Sequence, residues 1–130
     1  MRIFFSEQSK KFLRTLSYPI ESASQILGHI ENNFIRIDKI VSFKMISQLN
    51  DCCSIALPKK KLDDNVIGVF HTHPNGNILP SDSDVKVMKS LFSQKEVVFL
   101  ISEKKNDIWI IHPFIIENNN KMTMLDSVTI

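Results

Sequence analysis

The sequence predicts an α+β, or mixed α/β, fold: a single sheet domain over residues 1–130 with helices laid against it. Three observations carry this. Short apolar runs of strand character outnumber amphipathic helical stripes. Several of those runs are joined by brief polar turns, which favours antiparallel neighbours over a doubly wound sheet. The chain has 130 residues, 43% of them hydrophobic, which suits one compact domain with a real core.

The elements follow in order. Ile3, Phe4 and Phe5 predict a short first strand. Ser6 is a helix cap with acidic Glu7 in the first turn. Phe12, Leu13 and Leu16 then fall on one helical stripe, with Lys10, Lys11 and Arg14 on the other faces. Pro19 stops that helix and pushes Tyr18 to extended geometry. Residues 21–30 read as a strand, and Glu31, Asn32 and Asn33 as the turn of a hairpin. In 34–43, Ile35, Ile37, Val41 and Phe43 alternate with Arg36, Asp38 and Ser42. Lys39 and Ile40 break the alternation and predict a bulge. Residues 54–57 form a further strand ended by Pro58, and Asp63, Asp64 and Asn65 form a turn.

Residues 66–70 are continuously apolar, the pattern of a strand buried on both faces. Gly68 within it marks a close backbone approach. Asn75, Gly76 and Pro80 mark a loop, and Ser81 opens a second helix. Residues 97–101 are another buried strand, 102–107 a turn, and 108–111 the next strand, with Trp109 in the core. A turn at 118–120 precedes a C-terminal strand, on which Met122 and Met124 alternate like a strand face, read as packing in preference to substrate contact.

Composition limits the partners. The formal net charge is +2, which gives no electrostatic case for nucleic acid or an anionic membrane. Lys59, Lys60 and Lys61 are followed almost at once by Asp63 and Asp64 and read as a solvated loop. Cys52 and Cys53 are adjacent and cannot staple a fold, so a reduced, cytoplasmic protein is expected. No apolar run has membrane-spanning length, and the N-terminal run is too short for a signal-peptide core.

The chemistry concentrates at the end of the 66–70 run. His71 and His73 are two apart, so on a strand both imidazoles point to one side and can share an ion. Asp84 supplies a carboxylate. Two imidazoles, a carboxylate and an open position make a catalytic zinc site. Ser81 with Asp84 also reads as a capping box. Asp84, however, shares a helical stripe with Met88 and Leu91 and so points inward, where a carboxylate needs a partner. A hydrolytic site also needs a base. Of the six glutamates, Glu21 precedes an apolar strand that could lie beside the histidine strand, whereas Glu31 sits in a polar turn. Spacing alone does not choose between them. His29 and His112 read as structural.

His71, Thr72, His73 and Pro74, followed by Pro80, Ser81 and Asp84, resemble the motif of the JAMM/MPN+ (JAB domain) zinc metalloproteases. Upstream, residues 21–28 are similar to the family's Glu-led stretch with its final glycine at Gly28. They depart from it at Ser24, usually glycine, and at Gln25, usually apolar. The resemblance spans residues 21 to about 91. It implies a curved, mostly antiparallel sheet flanked by helices, with cytidine-deaminase-like layering. It implies one zinc ion on His71, His73 and Asp84, Glu21 as the base for a zinc-activated water, and Ser81 as a donor to the oxyanion. The implied substrates are ubiquitin or ubiquitin-like proteins, cut after a C-terminal Gly-Gly, with the tail lying along a strand edge. The chain is near the minimum size for that fold and lacks the insertions of eukaryotic deubiquitinases. A processor of small ubiquitin-like or sulfur-carrier proteins is therefore favoured. Two alternatives stand beside it. One is a non-catalytic MPN-type interaction module. The other is a DNA-associated role like that of the RadC-type branch, which shares the His-x-His-Pro and Pro-Ser-x-x-Asp signature.

Overall fold

A computed structural model of the chain describes residues 2–16, 23–42, 45–48, 53–55, 65–72, 96–117 and 121–130. The fold is mixed but dominated by sheet, which curls into a half-barrel. Strand β1 (Arg2–Phe5) leads into helix α1 (Glu7–Thr15), followed by β2 (Ala23–Glu31) and β3 (Phe34–Ser42). A separate pair, β4 (Met45–Gln48) and β5 (Cys53–Ile55), comes next. Then come β6 (Val66–Thr72), β7 (Val97–Lys105), β8 (Ile108–Ile116), β9 (Met122–Met124) and β10 (Val128–Thr129). In the main sheet the order is β1-β3-β2-β6-β7-β8-β10, with β9 also paired to β8. The β1–β3 and β6–β7 pairs are parallel and the rest antiparallel. The predicted second helix lies outside the described residues.

The start of α1 is fixed by local hydrogen bonds. The Ser6 hydroxyl oxygen accepts from the Ser9 backbone N–H at 3.1 Å, and the hydroxyl donates to the Asp38 carbonyl of β3 at 2.6 Å. Ser9, fully buried, satisfies its own hydroxyl on the Ser6 carbonyl at 2.8 Å. The predicted stripe is the packed face: Leu13 is fully buried, with Phe12 and Leu16 beside it. The helix ends at Thr15, where Leu16 turns extended, before the predicted stop at Pro19, which is outside the described residues.

Leu13 joins Ile26, Ile37, Phe70, Leu100 and Trp109 in the larger core on the helix side of the sheet. Trp109 donates its indole N–H to the Leu13 carbonyl at 2.9 Å and meets Phe70 edge-on at 5.7 Å. A smaller core of Phe99, Ile101, Phe114 and Ile116 occupies the opposite face. Alternate residues of β7 and β8 feed the two cores, as the pleat requires.

The β3 bulge falls where the alternation broke, with one correction. Leu27 pairs Lys39 and Gly28 pairs Ile37, leaving Asp38 as the extra residue. The extra residue turns Ile40 into the core at 3% exposure, and Val41, predicted inward, is left half-buried. The hairpin turn at Asn32 and Asn33 is as expected. Strand β7 runs on to Lys105, so the predicted 102–107 turn shrinks to Asn106 and Asp107, both at positive φ. Met122 and Met124 are exposed at 41% and 59%, not packed.

Candidate metal centre

Strand β6 lies at the centre of the sheet, between β2 and β7. Residues 66–70 are all buried, as predicted, and the strand continues through His71 and Thr72. Burial on both faces explains the uninterrupted apolar run. Gly68 is needed for contact: a Cβ there would stand 1.8 Å from the Val98 carbonyl oxygen of β7. Gly28 meets the Arg36 carbonyl in the same way, at 1.9 Å. It also lies next to the β2–β3 register shift.

His71 is half-buried at the C-terminal end of β6. Its Cα pairs with Ala23, the first residue of β2, and on the other side with Ile101 of β7. The end of the histidine strand and the start of β2 are therefore neighbours. Glu21 stands two residues before Ala23 in the chain, and His73 two residues after His71. Glu21, His73, Ser81 and Asp84 lie outside the described residues. Among the described residues no three His, Cys, Asp or Glu side chains meet to hold a metal.

Glu31, the other candidate base, is at the far end of β2. Eight steps along the strand separate it from Ala23, about 26 Å at the usual rise. It pairs instead with His29 at 3.2 Å, both about half-exposed. His29 also faces Asp38, which holds Arg36 at 3.0 Å. This exposed cluster belongs to the other end of the sheet from His71.

Sequence reading gave no role to Glu103, and His112 only a structural one. Ile101 pairs with His112 of β8, so His71, Ile101 and His112 form one cross-strand row. Glu103, two residues beyond Ile101, shares their face. Its Oε1 is 3.9 Å from His112 Nε2, with side chains 15% and 17% exposed. The available signal was the alternation of Ile101, Glu103 and Lys105 beyond the apolar run.

The family model and a structural neighbour both support a JAB/MPN-like domain. The chain belongs to the prokaryotic homologs of the JAB domain, whose family model matches residues 9–124. Among solved structures it is similar to the solution structure of protein DSY2949 from Desulfitobacterium hafniense. The two share 13% identity and superpose with a TM-score of 0.61 over 97% of this chain and 90% of that one. At that identity the likeness is one of fold. No curated protein matches the sequence. Among the described residues no helix is long and apolar enough to cross a membrane.

Proposed function

We propose that the chain is a zinc-dependent peptidase or isopeptidase of the cytoplasm. In this reading it cuts after the C-terminal Gly-Gly of ubiquitin or of a ubiquitin-like or sulfur-carrier protein. The observation that supports the reading is the Ala23–His71 pairing, which sets the start of β2, two residues after Glu21 in the chain, beside His71. A base and a metal ligand pair have to meet at one place; Glu31 is at the far end of β2, whereas Glu21 precedes the start of that strand in the chain.

The donor set suits zinc: His71, itself half-buried at a strand end, with His73 and Asp84, gives two nitrogens and one carboxylate oxygen. Parallel neighbours β6 and β7 require a crossover of the chain between them. Ser81 and Asp84 are on that crossover. In this proposal it forms the second flanking helix and brings both residues over the face that carries His71. The nearly complete burial of Phe99, Ile101, Phe114 and Ile116 supports a cover on that face.

Bound zinc supplies Lewis acidity, which acidifies water and polarises a carbonyl. The protein's residues do the rest. Glu21 takes the proton from the attacking water and delivers it to the departing amine. The Ser81 hydroxyl donates to the oxygen of the scissile carbonyl as it becomes negative. The extended tail of the substrate lies along a strand edge, where backbone hydrogen bonds hold it.

The test is incubation of the purified chain with Gly-Gly-linked fusions of ubiquitin-like proteins, with and without chelator, read by product mass. Chelator-sensitive cleavage after the second glycine is expected. A folded chain that binds no stoichiometric zinc and cleaves none of them would refute the proposal.

A further inference from the structure

We propose that two copies of this chain join antiparallel through the outer edge of β1 and make one continuous sheet. The inference does not depend on the zinc reading, since β3 and β2 stand between this edge and β6. Strand β1 ends the main sheet, and among the described residues no strand pairs its outer side. The Arg2 N–H donates to the Asn33 carbonyl at 3.0 Å and the Ser6 N–H to the Ile37 carbonyl at 2.9 Å, both toward β3. Alternation then turns the N–H and C=O of Ile3 and Phe5 outward, where an open edge accepts another strand. The side chains of Ile3 and Phe5 pack on the core beneath α1. Phe4 stands on the opposite face, 50% exposed and braced edge-on against Phe34 at 5.5 Å. Beside it opens a cavity of about 470 Å³ lined by Phe4, Phe5, Ser6, Phe34 and Arg36.

The edge fits a second copy of itself. In an antiparallel pair, residues whose backbone groups face each other exchange both hydrogen bonds. One register alone uses both outward residues twice: Ile3 of each copy opposite Phe5 of the other. That register sets Phe4 against Phe4 on the two-fold axis, in the non-hydrogen-bonded position where side chains come closest. A two-fold axis normal to the sheet keeps each face on its own side, so the half-buried Ile3 and Phe5 meet beneath the helices and the exposed rings meet on the other face. Charge agrees with this. Arg36, level with Phe4, is held by Asp38 at 3.0 Å, so the centre of the contact carries no free cation. Arg2 falls opposite Ser6 of the other copy, next in the chain to acidic Glu7. The two Arg2 residues end four steps apart, about 13 Å, beyond the reach of strong repulsion in salt. The contact is isologous and closes at two copies.

Sedimentation equilibrium of the purified chain over a concentration series into the submillimolar range tests this. The mass should rise to twice that of the chain and stop there. Phe4→Glu, which sets two carboxylates face to face on the axis, should return the mass to that of one copy. Amide hydrogen exchange reads the register: the Ile3 and Phe5 N–H groups should be protected in the dimer and exchange freely in the monomeric variant. A chain that stays monomeric, an assembly larger than two, or a dimer undiminished by Phe4→Glu overturns the inference. So does a dimer in which the Ile3 and Phe5 amides stay unprotected. Should Phe4→Glu fail to fold, exchange in the unaltered chain decides. Protection of those two amides that grows with concentration supports the pairing, and protection independent of concentration sinks it.

Discussion

Ala23 and His71 stand opposite each other where the start of β2 meets the end of β6. That pairing separates the chain's histidines by position. His71→Ala is expected to abolish stoichiometric zinc binding, while His29→Gln, about half-exposed at the other end of β2, should leave it intact. Metal analysis of the two purified variants checks this. Equal zinc in His71→Ala and the unaltered chain would remove His71 from the ligand set.

Glu21→Gln keeps the shape of the side chain and removes its basicity. Cleavage of a Gly-Gly-linked fusion should fall at least about 100-fold, the lower range for a general base, with zinc retained. Unchanged turnover in that variant would take the base assignment away from Glu21.

Gly68 is a packing prediction. A Cβ 1.8 Å from the Val98 carbonyl would force β6 and β7 apart at the middle of the sheet. Gly68→Ala should cost about 3 kcal/mol or more, the upper end for overpacking. Urea denaturation measures it, and a midpoint equal to that of the unaltered chain would contradict the close approach.

Trp109→Phe removes the N–H that reaches the Leu13 carbonyl and part of the edge-on contact with Phe70. The expected loss is about 1–3 kcal/mol, a buried hydrogen bond plus reduced packing. Because the bond ties β8 to the last turn of α1, hydrogen exchange in that turn should accelerate along with global unfolding. A variant as stable as the parent would show that the bond contributes nothing net.

The buried half of the fold was legible because burial leaves a period in the sequence. The continuous apolar run 66–70, the Leu13 stripe and the cap at Ser6 all appear in the structure. The strand ends were not legible. Glu103, Lys104 and Lys105 read as turn, yet they continue β7 because backbone pairing to Ile108 does not require apolar side chains at the sheet's exposed end. Met45–Gln48 escaped notice for a related reason: a four-residue strand in a separate pair has too few positions to show alternation. The Asp38 bulge was visible as a broken pattern, but pattern alone could not decide whether Ile40 or Val41 turned inward. At the site, the motif pointed to Glu21, His71, His73, Ser81 and Asp84; of these the described residues include His71 alone, which stands opposite Ala23. The row from His71 to His112 could not be read from sequence, because 40 residues separate its two ends.

The position of β6 also bears on the order in which the sheet can assemble. Its two neighbours come from opposite ends of the chain, one complete by residue 31 and the other beginning at residue 97. A chain emerging from the ribosome therefore holds the histidine strand for some 25 residues of further synthesis with one side unpaired. Pairings this distant in sequence form slowly. Under the zinc proposal, metal capture is expected to follow β7 docking, since an incomplete chain carries the His-x-His sequence while β6 lacks one of its two neighbours.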